Sequence, residues 1–310
     1  MRYILWTGGI DSTYLLCKCA RENDEPIQPL YIVFNRPVAK SKSERELDAQ
    51  KALLTQIRGK EDILAEIKEP ILLQETELPE NKGFDAIYDK ANDGSILFTR
   101  RIYKTFARLS KTYPELMIGI EAPNPKARPI GRTKKAFEDY GLSIDDAGHV
   151  ILDKDGNVEI FTIFRDLMFP IINTNPVEEI ESFKKWGYDD VPSLCRTCPA
   201  DLDYQCGVCP YCELKMESEE VFKELMPRGY INHKIKEYLS KVDQVEGTRY
   251  AQFYTWFISG DEILRGGWCE GYGESAYISK ETAQNMTLWF NALRKAYPNF
   301  DKVDKTQYGF

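Results

Sequence analysis

The apolar run from Tyr3 to Trp6 breaks on Thr7-Gly8-Gly9, and Asp11-Ser12-Thr13 then leads into the apolar trio Tyr14, Leu15 and Leu16. A short apolar run bounded by glycines reads as a buried strand, and polar capping residues ahead of an apolar trio read as a helix start. The segment therefore predicts strand, glycine turn and helix, with Asp11, Ser12 and Thr13 as the caps. A strand that passes at once into a helix belongs to a crossover unit, which commits the chain to a parallel sheet. The alternation continues: Leu30 to Phe34 then Glu44 to Leu54, Ile71 to Leu73 then Leu97 to Leu109, Leu116 to Ile120 then Thr133 to Tyr140. The expected class is α/β, with a doubly wound parallel sheet. The stretch from Gly148 to Phe164 holds two alternating runs around Asp155-Gly156, which predicts a β-hairpin insertion.

The glycine turn predicts chemistry as well as topology. Gly8 and Gly9 let backbone N–H groups approach an anion, the helix start adds donors and a favourable dipole, and the hydroxyls of Thr7, Ser12 and Thr13 add hydrogen bonds. A phosphate or pyrophosphate is the expected ligand of residues 7–13, Ile10 and Asp11 included. The spacing is neither G-x-x-x-x-G-K-[ST] nor G-x-G-x-x-G, so the common nucleotide-binding fingerprints are excluded. The competing reading is a plain glycine turn ahead of a buried helix.

Of eight cysteines, five fall between Cys195 and Cys212. The spacing Cys206-x2-Cys209-x2-Cys212, with another cysteine upstream, lets four thiolates close around one tetrahedral Zn²⁺ with no open position, which makes the metal structural. Cys195 and Cys198 compete for the first place, and an iron–sulfur cluster is the rival for soft ligands. Cys17 and Cys19 point to different faces of a helix and are expected to be packing residues, as is Cys269.

These two motifs together carry a resemblance. The loop "TGGIDS" resembles the S-G-G-x-D-S loop of the PP-loop ATP pyrophosphatase superfamily, with Thr7 in place of the first serine. With the pattern C-x7-C-x2-C-x2-C-x-L-K from Cys198 onward, the chain is similar over roughly residues 1–216 to the 7-cyano-7-deazaguanine synthase (QueC-like) family. The resemblance implies a PP-loop ATPase fold in which Thr7 to Thr13 hold the β- and γ-phosphates of ATP with Mg²⁺. Asp11, Ser12 and Arg100 would be catalytic. It also implies structural zinc on Cys198, Cys206, Cys209 and Cys212, with Cys198 chosen because it follows Thr197 as the family's first ligand follows Ser or Thr. The implied activity is adenylylation of the carboxylate of 7-carboxy-7-deazaguanine, displacement of AMP by ammonia, and activation and dehydration of the amide to the nitrile with a second ATP. Arg100 in "ILFTRRI" matches the family arginine, and "FPIIN" (residues 169–173) sits where the family has P-L before its penultimate helix, here Val177 to Trp186. In "NPKARPIGRTKKAF" Arg128 is retained, but Lys126 and Ala127 stand where the family has an acid and a thiol. Arg128 and Arg132 are the substrate-binding candidates. The segment "FNRPVAKSKSERELDA" replaces a short family loop, and residues 217–310 extend past the usual tail. These departures make the chain resemble longer paralogues of bacterial antiviral operons of the CBASS type, in which an amine of a partner protein replaces ammonia as acceptor.

Forty-one Lys and Arg against 49 Asp and Glu leave a net charge of −8, so no general field favours bulk nucleic acid or an anionic membrane. No apolar stretch approaches the length of a membrane span and the first residues do not read as a signal peptide, so a cytoplasmic protein is expected. Lys126, Arg128, Arg132, Lys134 and Lys135 form a basic run suited to a carboxylate or phosphate, or else a solvated helix start. Arg100, Lys104, Arg108 and Lys111 recur beside Ile102, Phe106 and Leu109 and read as a wet helix face, Arg100 excepted. His149 and His233 are expected at the surface. The organisation expected is an ATP-binding domain (1–194), a four-cysteine zinc element (195–216) and a helical extension (217–310), whose clearest helix is Ser279 to Tyr297. The aromatics Tyr250, Phe253, Tyr254, Trp256, Phe257, Trp268 and Tyr272 suit a core or a homodimer interface. A PP-loop tRNA-modifying enzyme, which would need a catalytic cysteine pair, and a non-catalytic nucleotide sensor or scaffold are the alternative functions.

Overall fold

In the computed structural model, β1 (Arg2–Leu5) is followed by α1 (Ile10–Glu22), β2 (Ile27–Val33), α2 (Pro37–Arg58) and β3 (Ile71–Gln74). Next come α3 (Lys82–Lys90), α4 (Arg101–Leu109), β4 (Leu116–Ile118), α5 (Arg132–Asp139), β5 (Leu142–Ile144), β6 (Val150–Leu152) and α6 (Val158–Phe164). The chain continues through β7 (Leu167–Met168), α7 (Pro176–Lys185), α8 (Val191–Leu194) and α9 (Pro227–Glu246). The structure describes residues 1–33, 37–78, 80–91, 101–120, 132–196, 198, 206–208, 212, 223, 225–246, 251 and 255.

The main sheet has the order β3-β2-β1-β4-β7, and all four pairings are parallel. The α/β class and the parallel sheet expected from the alternation are present. The chain winds from β1 outward through β2 to β3, then returns to lay β4 on the other side of β1. The winding therefore reverses between β1 and β4, and the crevice at the carboxyl ends of these two strands is the place where such sheets bind ligands.

Strand side chains alternate between the faces and define two cores. Ile4, Met117 and Met168 pack with Leu15, Leu16, Leu53, Leu54, Phe183 and Tyr230, on the face covered by α1, α2, α7, α8 and α9. Leu5, Ile118 and Leu167 pack with Phe84, Phe106, Phe137 and Phe164, on the face covered by α3 to α6. Met226 and Tyr230 belong to the first core, so the start of α9 packs onto the sheet domain.

The hairpin lies elsewhere than the sequence predicts. β5 pairs antiparallel with β6 through a turn at Asp145–Gly148, and the second alternating run is the helix α6. Asn157 starts that helix by accepting from the Ile160 N–H at 3.1 Å. Gly156 has no positive φ, unlike the glycine of a tight hairpin turn. It is a glycine because an added Cβ would stand 2.1 Å from the Gly141 carbonyl oxygen. His149 lies on the true hairpin, half-exposed, with Nδ1 3.2 Å from Asp145 Oδ2. His233 is a half-buried residue of α9 rather than a surface one. The helix expected from Val177 is α7, begun by a capping box in which Asn175 Oδ1 accepts from the Glu178 N–H and Glu178 Oε2 accepts from the Asn175 N–H. The wet face expected of α4 carries ion pairs: Lys104 with Asp89 at 3.2 Å, Arg108 with Asp85, and Lys111 with Asp166. Among the described residues, no helix is long and apolar enough to cross a membrane. The helix expected over Ser279 to Tyr297 and the aromatics Tyr250 to Tyr272 lie outside the described residues.

Candidate phosphate loop and cysteine cluster

The turn between β1 and α1 sits at the reversal point of the sheet, and a ring of short-range bonds fixes its shape. Gly8 takes a φ of +74°, which only glycine adopts without strain. Thr7 Oγ1 and Ser12 Oγ are 3.2 Å apart, Ser12 Oγ accepts from the Thr7 N–H at 3.2 Å and donates to the Gly9 carbonyl at 3.1 Å, and the Gly9 N–H reaches Thr7 Oγ1 at 3.3 Å. The threonine that replaces the expected serine thus keeps its hydroxyl inside the ring.

One detail corrects the sequence reading. Gly9, not Asp11, Ser12 or Thr13, is the N-cap, and having no side chain it makes no side-chain cap hydrogen bond. Helix α1 begins at Ile10, so Ile10, Asp11 and Ser12 occupy that turn, where backbone N–H groups lack intrahelical carbonyls. An oxyanion at this end would meet those donors and the positive end of the helix dipole. Thr13 stands apart: it is fully buried, and its Oγ1 accepts from the Trp6 indole N–H at 3.0 Å. It ties the helix to the strand rather than lining the loop.

Three elements support the loop from outside it, and the sequence signalled none of them. Gly119, just past β4, lies against the first turn of α1: an added Cβ would stand 2.8 Å from Ser12 Cα and 2.9 Å from Ser12 N. Gln50 of α2 donates to the Trp6 carbonyl at 2.9 Å, and its Cγ would lie 3.2 Å from a Cβ on Gly8. The N–H of Arg196 donates to the Gly8 carbonyl at 2.8 Å, which joins the loop to the chain that enters the cysteine cluster.

In that cluster the thiols of Cys198, Cys206 and Cys212 lie within 4.8 Å of one another and all are buried. Cys206 Sγ is 4.0 Å from Cys212 Sγ, and the Cys206 N–H donates to Cys198 Sγ at 3.4 Å. Thiolates around a tetrahedral zinc are about 2.3 Å from the ion and hence about 3.8 Å apart, so these three positions fit such an ion and have the soft donors it favours. Between the two candidates for the first place, Cys198 stands in the cluster. The Cys195 thiol instead donates to the Val191 carbonyl at 3.4 Å within the first core. Cys209 lies outside the described residues.

Helix α9 is the platform of the cluster. Its Asn232 donates to the Cys206 carbonyl at 3.0 Å and its Lys236 to the Val208 carbonyl at 3.1 Å. Gly207, with φ +77°, rests so close to Gly229 that an added Cβ would stand 1.7 Å from the Gly229 oxygen. The start of α9, within the extension, thus packs against the cysteine element.

Cys17 and Cys19 are packing residues, as expected. Burial pushes the Cys17 thiol well up, with Cys195 adding to the shift, and pushes Cys19 up to about 11, so both stay protonated near neutrality. Arg100 and Arg128 lie outside the described residues, as does Lys126. Arg132 is the first residue of α5, on the segment that follows the switch-point strand β4. Of the same basic run, Lys134 donates to Asn173 Oδ1 at 2.7 Å and Lys135 pairs with Asp139 at 2.8 Å. No protein-family model matches the chain, and no curated protein matches it.

Proposed function

We propose that the chain is an ATP-dependent enzyme that adenylylates a carboxylate of the 7-carboxy-7-deazaguanine type and passes the acyl group to nitrogen. The observation that carries this reading is the Thr7–Ser12 ring at the start of α1, placed where the winding of the sheet reverses. The donor-rich turn suits the β- and γ-phosphates, the part of ATP that departs when the α-phosphate is attacked. A substrate carboxylate oxygen would attack the α-phosphorus and expel pyrophosphate. An amine would then attack the acyl carbon and expel AMP, losing its extra proton to solvent or to the departing phosphate. Charge moves onto pyrophosphate in the first step, and donors already in place lower its cost without reorganisation. Mg²⁺ would supply further charge neutralisation there.

Asp11 in the first turn is the carboxylate nearest in sequence to the loop and is assigned to this step. Arg132 and the basic segment before it follow β4 and are assigned to the substrate, together with Arg100 and Arg128. Zinc on Cys198, Cys206, Cys209 and Cys212 would be structural, holding the element that bonds to the loop through Arg196. The acceptor is ammonia, giving an amide, whose oxygen a second ATP would adenylylate so that it leaves with AMP and the nitrile forms, or an amine of a partner protein in an antiviral system; the assembly is a cytoplasmic homodimer. The raised Cys17 and Cys19 thiols weigh against a thiolase.

The test is incubation with ATP, Mg²⁺ and 7-carboxy-7-deazaguanine, with and without ammonium, read by mass spectrometry. AMP formation that requires the substrate and disappears in Asp11→Asn is expected. Absence of AMP, or AMP formation indifferent to Asp11, would overturn the proposal.

A further inference from the structure

The hydroxyl ring closes the phosphate loop from within, but two of its carbonyls are held from outside, and those contacts decide where the next N–H groups point. In a planar trans peptide the carbonyl of one residue and the N–H of the next face opposite ways. Gln50 of α2 draws the Trp6 carbonyl outward at 2.9 Å, and the Thr7 N–H across that plane meets Ser12 Oγ at 3.2 Å. The Arg196 N–H likewise draws the Gly8 carbonyl outward at 2.8 Å, and the Gly9 N–H meets Thr7 Oγ1 at 3.3 Å. Both clamps thus turn loop donors toward the hydroxyls, the side on which an oxyanion would collect them. They differ in what stands behind them. Gln50 is 2% exposed and sits in a helix. Arg196 sits between two anchors: Cys195, whose thiol donates to the Val191 carbonyl in the first core, and Cys198 of the cluster. The first anchor is made by the chain alone. The second is joined to Cys206 by the N–H of that residue on Cys198 Sγ at 3.4 Å. An ion about 2.3 Å from each sulfur would fasten Cys198, Cys206 and Cys212 together. Asn232 of α9 holds the Cys206 carbonyl at 3.0 Å, so the ion would also fasten the Arg196 segment to that helix.

We infer that Arg196 is a positioning residue of the phosphate loop, and that through its main-chain N–H a zinc ion in the cysteine cluster and ATP in the loop raise each other's affinity. The inference rests on the phosphate reading of the loop and not on the identity of the carboxylate. An ion that restrains Cys198 restrains the peptide of Arg196 two residues earlier, which keeps the Gly9 N–H turned inward and spares ATP the cost of ordering it. Because Cys195 pins the same peptide from the other side, the effect of the ion is bounded by the worth of one hydrogen bond, about three- to tenfold in affinity. Linkage makes the effect reciprocal: the factor by which zinc tightens ATP is the factor by which ATP tightens zinc.

The experiment is calorimetric titration of the full chain with ATP and Mg²⁺, zinc-loaded and after zinc is stripped by a nitrogen-ligand chelator that leaves Mg²⁺ on its oxygen ligands. Stripping is expected to weaken ATP by about three- to tenfold in the wild-type chain. Arg196→Pro lacks the N–H, and Cys195, with ψ 140°, already has the backbone that a residue before proline takes; Arg196→Ala keeps the N–H. The proline variant is expected to bind ATP more weakly than the alanine variant and to lose the response to zinc, which the alanine variant retains. A readout that needs no change at Arg196 is the share of zinc that the chain yields to the chelator at equilibrium. ATP should lower that share in the wild-type chain and much less in Ser12→Ala, where any zinc taken by ATP in solution is the same. ATP affinity that depends on Ser12 but not on zinc would overturn the coupling and leave the loop standing. A zinc response that survives in Arg196→Pro would overturn the assignment to Arg196. No ATP binding, or binding indifferent to Ser12→Ala, would overturn the phosphate reading and this inference with it.

Discussion

The two faces of the sheet are closed by different means. On the face of α3 to α6, Phe137 meets Phe164 and Phe169 edge-on at 5.2 and 5.3 Å, Tyr103 meets Phe106 and Phe164, and the rim is sealed by ion pairs. On the face of α1, α2 and α7 to α9, the packing includes the approach of Gly8 to Gln50 and of Gly207 to Gly229, and three clustered thiols. Both faces bury a continuous core, and among the described residues the second brings the main-chain donors of the loop and the soft ligands of the cluster together. The phosphate loop and the thiols therefore depend on one face of the sheet: damage to the buried rings of the aromatic face should cost stability without ATP affinity, and damage around the loop should cost both.

The largest expected effect tests the aromatic face. Phe137 is 1% exposed, and its replacement by alanine leaves a cavity beside the rings of Phe164 and Phe169. Phe137→Ala is expected to destabilise the fold by about 3–5 kcal/mol, read by denaturant unfolding, while ATP affinity of the folded chain stays at the wild-type value. A loss of affinity at temperatures where the variant is folded would break that dependence on one face.

Gly119→Ala attacks the seam between the faces. Its Cβ would collide with the backbone of Ser12, which cannot move aside as a flexible side-chain end could. An expected cost of about 2 kcal/mol is accompanied by weaker ATP binding, because the helix start must shift away from β4. Destabilisation with full affinity would show that the loop does not depend on that approach.

Thr13→Val is smaller again and sharper. The side chain is nearly isosteric, but the buried Trp6 indole N–H at 3.0 Å loses its acceptor, at an expected cost of about 1–2 kcal/mol in thermal or denaturant unfolding. Since that hydroxyl faces Trp6, ATP affinity is expected to change less than in Ser12→Ala. The reverse order would restore Thr13 to the loop.

How much of this was legible in the sequence follows from the range of the interactions. The loop was legible because its ring closes within Thr7 to Ser12, so residue types and spacing already determine which hydroxyl meets which backbone group. Its helix cap was not, since Ser12 sits in the first turn and bonds back to Gly9 instead of preceding the helix. The run Val158 to Phe164 alternates well enough for a strand; the tertiary approach of Gly156 to Gly141 and the Asn157 cap made it a helix. The partners of Gly207 and Gly119 were illegible for the same reason. Each glycine is dictated by a backbone that arrives from a distant part of the chain.

The last prediction puts the charged rim of the aromatic face on a pH axis. Partial burial pushes the Asp85 carboxyl up, but Arg108, which donates to it through Nε at 3.1 Å, and Lys104 at 3.6 Å outweigh that and hold it below its ordinary value of 3.8. A carboxylate whose folded pKa is depressed binds fewer protons in the folded state than in the unfolded chain over that interval. Its contribution is therefore present in full above the ordinary value and is lost as pH falls through the folded one. The site is partly exposed, so solvent screening limits the contribution to less than about 1 kcal/mol. Unfolding midpoints measured between pH 6 and 3, a range chosen to span the carboxylate values, should fall more steeply for the wild-type chain than for Asp85→Asn at the acid end. The two curves should run parallel above about pH 5. ATP affinity at pH 7 should be the same in both, because the rim of α3 and α4 lies across the sheet from the loop. A variant that lost ATP affinity while keeping its stability would tie the rim of α3 and α4 to the phosphate loop.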